Sequence, residues 1–316
     1  MPARASFFDS ELIARIARLE LTARRIVDGF LSGKNRSSRH GFSVEFVDHR
    51  EYGPGDDPRH LDWKVWGRLD RLMVKRYEEE TNITAILLLD ASGSMGYRSS
   101  LSGRGEGSRS DGRTKFETGA FAAAALAHLL SRQRDAVGLA LFDEGVREMV
   151  RPSARRLAVA NVTARMLGAE TRSKTDIGEV VRRVASEVRR RSLFILLSDL
   201  FAPIDGLRSG LKFLHARGHD AIVLHVLDPA ELEFPFRSNT LFRSLEDDRE
   251  LLVEPSRLRR RYLDACFRFL EEVRRECHGL AFDYQLLDSS EPLGPALASL
   301  MAARSRRRKT IRGGRR

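Results

Sequence analysis

Cysteine is scarce in this sequence, which has only two among 316 residues, Cys266 and Cys277. Both fall in one predicted helix, where their separation corresponds to about 16 Å at 1.5 Å per residue. That distance is too long for a disulfide bond, so we expect two free thiols. Low cysteine usage of this kind is typical of a reducing compartment.

Long apolar runs are also missing. No run approaches the roughly 18 apolar residues that a membrane-spanning helix needs, so we expect no membrane span. The first residues, MPARASFFDSEL, contain no hydrophobic signal segment. The cytoplasm is therefore the expected location.

Acidic and aromatic residues are both absent from residues 304–316, although the chain has a net charge of +11. Eight of the positive charges lie there, and the rest of the chain carries only +3 of the total. We interpret residues 304–316 as a disordered basic tail. Because no aromatic residues interleave with these charges, the stacking typical of single-strand binders is missing, and we do not expect specific nucleic-acid binding. Binding of nucleic acid through this tail is kept as an alternative function.

The most distinctive stretch is residues 84–95, TAILLLDASGSM. Its unbroken apolar run is typical of a strand buried on both faces of a parallel sheet. Asp90, Ser92 and Ser94 follow at alternate positions where the strand should end, and Gly93 permits a tight turn between them. One carboxylate and two hydroxyl groups can therefore face one point.

These oxygen donors suit a hard cation, Mg²⁺ or Mn²⁺, better than zinc, which prefers nitrogen and sulfur. In open α/β sheets ligands bind outside the carboxyl ends of the strands, so further donors should come from later strand ends and loops. Thr175 lies in the polar loop TRSKTD, and Asp199 ends a second apolar run, LFILLSD. Taken singly, either residue is more simply interpreted as a helix or turn cap. Together the pattern predicts a metal site formed by Asp90, Ser92, Ser94, Thr175 and Asp199.

Strand and helix patterns alternate from residue 84 onward. The predicted strands are 84–90, 136–142, 193–199, 221–228 and 281–287. The predicted helices are 115–134, 154–167, 177–190, 203–216, 256–277 and 293–303. This alternation predicts an α/β fold with a doubly wound, mostly parallel sheet. Residues 97–114 form a predicted Gly/Ser/Arg loop, and 229–255 contain a possible short strand, ELLVE.

The N-terminal part has a different character. Residues 9–30 have apolar positions at helical spacing, which predicts an amphipathic helix. The following segment is rich in turn formers and in charges of both signs, which we interpret as a structural ion-pair network. It resembles the domain-of-unknown-function 58 family in four motifs: EF at 45–46, REYGPGDDPR at 50–59, LDW at 61–63 and VKRY at 74–77.

The resemblance implies that this segment leads into a von Willebrand factor A (vWA) domain with a metal-ion-dependent adhesion site. The DxSxS at 90–94, Thr175 and Asp199 match the ligand order of that site. The expected organisation has three parts. Residues 1–80 form an α+β extension with the N-terminal helix and the GPGDD and LDW motifs, residues 81–303 form a vWA-like, Rossmann-like domain, and residues 304–316 form the tail.

Members of this family look like companions of MoxR-type AAA+ ATPases, so the resemblance implies an adaptor or co-chaperone in protein assembly or maturation. In such a site a partner's acidic residue displaces a water from the metal. We therefore expect a protein-binding module without enzymatic activity. The alternative is a metal-dependent hydrolase or phosphotransferase, for which Asp143 and Asp176 are the available bases.

Overall fold

The computed structural model describes residues 21–23, 25–27, 48–53, 61–76, 83–100, 112–155 and 157–313. Most of the predicted N-terminal helix and the GPGDD turn lie outside the described residues. The chain divides into two compact units, residues 34–82 and residues 1–33 with 83–316. Ala23 and Val27, which we expected in the N-terminal extension, are instead buried in the core of the larger unit. The turn of helix that carries them presents its apolar face to that core.

The smaller unit contains a short antiparallel ribbon, β1 (Asp48–Glu51) and β2 (Met73–Arg76), and one helix, α1 (Trp63–Leu69). Trp63 and Trp66 are both exposed and pack edge to face with ring centroids 6.0 Å apart. The backbone N–H of Val65 donates to the Asp62 carboxylate, which holds the start of the helix.

The larger unit is built on a six-stranded sheet with the order β10-β7-β6-β3-β4-β5. Its strands are β3 (Thr84–Asp90), β4 (Ala136–Phe142), β5 (Val146–Ser153), β6 (Leu193–Ser198), β7 (Asp220–Leu227) and β10 (Asp283–Asp288). All neighbours are parallel except the β4–β5 pair. A separate antiparallel hairpin is formed by β8 (Thr240–Arg243) and β9 (Glu250–Val253).

Helices cover both faces of this sheet. They are α2 (Lys115–Arg132), α3 (Ala158–Leu167), α4 (Ile177–Glu187), α5 (Ile204–Ala216), α6 (Pro229–Glu233), α7 (Pro255–Gly279) and α8 (Leu293–Gly313). Alternate side chains of β3 enter two different cores: Leu87 and Leu89 pack with α2, α3 and α8, whereas Ile86 and Leu88 pack with α4, α5 and α7. Because both faces of β3 are buried, its sequence is apolar throughout. The predicted α/β fold with a mostly parallel sheet is confirmed.

Several elements differ from the sequence-based expectation. β5 was not predicted, because its sequence VREMVRPS mixes charges and a proline, as an edge strand can. The possible strand ELLVE is confirmed as β9, but its partner β8 and the short helix α6 were not predicted. Both cysteines lie on α7 and are free, as expected.

The predicted boundary of the basic tail is also corrected. α8 continues to Gly313, and Arg304, which we assigned to a disordered tail, is 9% exposed. Its guanidinium group bonds the carboxylates of Asp220 on β7 and Asp283 on β10. This pairing with two strands explains why the folded part extends beyond residue 303.

Candidate metal site

The site lies where the chain reverses its direction of travel across the sheet. From β3 the chain moves to β4 and β5 on one side, and then returns to β6 on the other side of β3. Such a switch point leaves a crevice at the carboxyl ends of the two strands. Asp90 ends β3, and Asp199 directly follows β6, with Leu89 paired to Leu197 across the two strands.

Asp90 is completely buried and accepts three hydrogen bonds. Its Oδ1 accepts from the Ser92 backbone N–H at 2.9 Å, and its Oδ2 accepts from the Ser198 hydroxyl at 2.5 Å and the Thr175 hydroxyl at 3.3 Å. Burial raises the pKa of Asp90 to about 7, with a further contribution from the negative charge of Asp199, while the serine hydrogen bonds lower it. Among the described residues Asp90 takes part in no ion pair.

The loop after β3 places two serine hydroxyls beside this carboxylate. Residues Gly93–Gly96 form one turn of 3₁₀ helix, and the hydroxyls of Ser92 and Ser94 are 3.2 Å apart. The Gly93 backbone N–H donates to the Ser173 carbonyl at 2.9 Å. This bond ties the loop that carries Thr175 to the DxSxS loop, which explains how residues far apart in sequence meet.

Asp199 is buried as well, but its carboxylate has a cationic partner. Its Oδ2 lies 2.7 Å from Nζ of Lys115, and the same ammonium group lies 2.6 Å from Oε1 of Glu231. Lys115 is completely buried at the start of α2. Burial acts to lower the pKa of Lys115, but the charges of Asp199 and Glu231 outweigh it and raise the pKa above its usual value. Asp199 therefore has a cationic partner within the protein, which it shares with Glu231.

A neutral histidine, His225, is hydrogen-bonded to the Asp199 backbone carbonyl. Nε2 of His225 lies 2.9 Å from the Asp199 carbonyl oxygen, and its Nδ1 lies 3.0 Å from the Tyr284 hydroxyl. Burial lowers the pKa of His225 to about 4. Since a carbonyl only accepts, Nε2 carries the proton and Nδ1 accepts from the tyrosine hydroxyl.

An additional carboxylate reaches the site from the β8–β9 hairpin. The backbone of Glu246 lies against the DxSxS loop, since a Cβ added to Gly93 would be 3.3 Å from the Glu246 nitrogen. Burial raises the pKa of Glu246, and the neighbouring Ser94 acts to lower it. Oε1 of Glu246 is buried and has no hydrogen-bond partner among the described residues.

The structure therefore brings together Asp90, Ser92, Ser94 and Thr175, and it places Asp199 beside them with its carboxylate turned to Lys115. Sequence reasoning missed Lys115, Ser198, Glu231 and Glu246. Only Ser198 had a signal, because it immediately precedes Asp199 at the strand end. A lysine at the first position of a helix gives no sign that it will be buried.

The two candidate bases of the enzymatic alternative have structural partners. Asp176 caps α4, and its carboxylate accepts the backbone N–H of Glu179 at 3.0 Å. The Asp143 carboxylate lies 3.5 Å from the guanidinium group of Arg147. Helix capping and ion pairing account for both side chains.

The oxygen donors of the site match the ligand preferences of a hard divalent cation. No cluster of three or more His, Cys, Asp or Glu able to hold a metal occurs in the described part of the chain. The five predicted ligands instead supply two carboxylates and three hydroxyl groups, a purely oxygen set without the nitrogen or sulfur that zinc prefers. The residues present fit Mg²⁺ or Mn²⁺, which bind few carboxylates and retain waters.

The sequence profile of one family, described as "Protein of unknown function DUF58", matches residues 48–269. The chain belongs to this family. Uncharacterized proteins of Mycobacterium bovis and Mycobacterium tuberculosis are 27% identical to the DUF58 chain over 283 residues, which covers 87% of it and 84% of theirs. Family membership confirms the resemblance carried by the N-terminal motifs.

Solved structures with a similar backbone include the conserved hypothetical protein BatB from Bacteroides thetaiotaomicron, with 14% identity and a TM-score of 0.46. Another is an aerotolerance-related membrane protein from Bacteroides fragilis, with 14% identity and a TM-score of 0.48. The matches cover 71% and 70% of this chain, respectively, and 99% of each solved chain. In the described residues of the DUF58 chain, no helix combines the length and apolarity needed to cross a bilayer.

Proposed function

We propose that this chain is a metal-dependent protein-binding module without catalytic activity of its own. Mg²⁺ or Mn²⁺ would be held by the oxygens of Asp90, Ser92, Ser94, Thr175 and Asp199, directly or through water. The observation that carries the proposal is the arrangement around the buried Asp90 carboxylate. The Thr175 hydroxyl and the Ser92 backbone N–H donate to it, and the Ser92 and Ser94 hydroxyls lie 3.2 Å apart in the adjoining loop. A cation would compensate a buried charge that has no cationic partner among the described residues.

The charge distribution supports an acidic partner. Lys115 is paired with Asp199 and with Glu231, so Asp90 is the one carboxylate among the five proposed ligands that has no cationic partner in the described residues. A divalent cation bound mainly by hydroxyl groups keeps much of its positive charge, and it favours an additional anionic oxygen. A carboxylate presented by another protein is the expected occupant of the remaining coordination position.

The identity of the partner is inferred from the family resemblance. We propose a MoxR-type AAA+ ATPase, with this chain as an adaptor or co-chaperone in protein assembly or maturation in the cytoplasm. The hydrolase alternative lacks a supporting observation in the described residues, because Asp143 and Asp176 are engaged in an ion pair and a helix cap.

The proposal is tested by capture from lysate of the source cells, with the full chain as bait, in Mg²⁺ and in excess EDTA. We expect an AAA+ ATPase to be retained only by the wild type and only with Mg²⁺. The Asp90→Ala variant should lose it, whereas Asp264→Ala, which removes an exposed carboxylate on α7, should not. Equal capture in EDTA or by Asp90→Ala would contradict a metal-dependent contact.

A further inference from the structure

The β8–β9 hairpin lies against the DxSxS loop with no space between their backbones. A Cβ atom added to Gly93 would be 2.0 Å from the Leu245 carbonyl oxygen and 3.3 Å from the Glu246 backbone nitrogen. Only glycine therefore fits at this position while the hairpin is in place. The glycine between Ser92 and Ser94 therefore has two roles: it permits the tight turn, and it leaves room for the hairpin backbone.

The contact delivers a carboxylate to the proposed ligands. Glu246 follows Leu245, whose carbonyl oxygen lies against Gly93, and its Oε1 is buried without a hydrogen-bond partner among the described residues. A buried carboxylate oxygen in this state is destabilising unless something else satisfies it. A cation shared with the neighbouring hydroxyls supplies the missing interaction, because carboxylate oxygens are preferred ligands of Mg²⁺ and Mn²⁺.

The hairpin is attached in a way that permits it to move. β8 and β9 pair with each other and, among the described strands, not with the main sheet. The loop is held by a Lys174–Asp247 ion pair at 3.3 Å, in which the lysine side chain is 54% exposed, and such exposed pairs stabilise little. Phe242, near the loop end of β8, packs on Phe234 and Phe236. A hairpin outside the main sheet, attached through one aromatic cluster and an exposed ion pair, can open locally as a lid.

We propose that Glu246 is an internal acidic ligand of the metal site, and that the β8–β9 hairpin keeps the site closed until a partner's carboxylate takes its place. The inference rests on the proposed function, since it requires a cation at Asp90. It adds a form of regulation: the chain carries its own substitute for the partner, so binding depends on displacing Glu246.

The test counts the waters on bound Mn²⁺ by water-proton relaxation, using the full-length wild type, Glu246→Gln and Asp248→Asn. Asp248 is exposed on the same loop, so its variant controls for loss of one negative charge. We expect Glu246→Gln to bind Mn²⁺ at least about tenfold more weakly and to show higher relaxivity for each bound ion, because water replaces the carboxylate. Acetyl-glutamate amide should then lower the relaxivity of Glu246→Gln more than that of the wild type.

The outcomes separate the two proposals. If the wild type binds no Mn²⁺, or binds it equally well after Asp90→Ala, the proposed metal site is wrong and the lid fails with it. If Mn²⁺ binding requires Asp90 but Glu246→Gln has wild-type affinity, relaxivity and response to the probe, only the lid is wrong. An equal change of Mn²⁺ affinity and relaxivity in Asp248→Asn would mean that any lost negative charge has this effect, and it would also overturn the lid proposal.

Discussion

Replacing Lys115 with methionine removes the only cation within 4 Å of Asp199 in the described residues while keeping a side chain of similar length. In the wild type the ammonium group lies 2.7 Å from Asp199 and 2.6 Å from Glu231, and it stacks 4.6 Å from the Phe201 ring centroid. Its side chain is only 1% exposed, so solvent cannot replace these interactions. The variant leaves two acidic groups in a poorly solvated place.

The stability lost in Lys115→Met follows from the burial of the charges that remain. Removing one partner of a buried ion pair typically destabilises a protein by about 3–5 kcal/mol, because the remaining charge is uncompensated. The lost cation–π contact adds roughly 0.5–1 kcal/mol. The assay is urea unfolding followed by circular dichroism, with the free energy extrapolated to water. Lys212→Met, which alters an exposed lysine on α5, should change the stability by no more than about 0.5 kcal/mol.

A second variant keeps this prediction testable if the first one fails to fold. Adding Asp199→Asn to Lys115→Met removes one of the stranded charges, so the double variant should recover part of the lost stability. A loss below about 1 kcal/mol in Lys115→Met, or a double variant whose losses simply add, would refute the account of this buried pair.

Three further perturbations test other parts of the structure. The pKa of His225 is about 4 in the folded protein and near 6.5 in the unfolded chain. The stability that the neutral imidazole contributes is therefore complete above pH 6.5 and is lost as the pH falls toward 4. The loss amounts to about 3 kcal/mol, and urea unfolding at pH 7 and pH 4.5 should show less acid sensitivity in His225→Gln than in the wild type. Gly93→Ala should dislodge the hairpin and speed its cleavage by trypsin, whereas Gly145→Ala, which has open space for a Cβ, should not; equal cleavage would argue against the backbone contact. Arg304→Met should destabilise the chain by roughly 1–3 kcal/mol in thermal unfolding, because it removes bonds to the strands β7 and β10. A loss of stability smaller than that of Arg275→Met, which alters an exposed arginine on α7, would show that Arg304 does not belong to the folded core.

Much of the fold could be predicted because its strands are buried on both faces. The run that ends in Asp90 and the run that ends in Asp199 are apolar throughout, and a central parallel strand is the simplest structure for such a run. The edge strand β5 could not be recognised in this way, because half-exposed positions admit charges and proline. The strand β8 and its pairing with β9 escaped prediction for a related reason: the hairpin does not join the sheet, so nothing forces its sequence to alternate.

The candidate site was predictable only where side chains follow strand ends. Asp90, Ser92 and Ser94 share one short loop, and their spacing alone suggests that they converge. The partners that set the electrostatics of the site come from distant segments. Lys115 begins a helix, Glu231 lies in the first turn of a short helix and Glu246 lies in a hairpin loop. Their roles depend on burial and on tertiary contacts, which local sequence patterns do not encode.

The central claim is that the oxygens around Asp90 bind a divalent cation. Titration of Mn²⁺ into the full-length protein by calorimetry, with wild type and Asp90→Asn compared, tests it most directly. We expect one site in the wild type and an affinity at least about tenfold weaker in the variant, which keeps the size of the side chain but removes its charge. Absence of binding to the wild type, or equal affinity in Asp90→Asn, would contradict it.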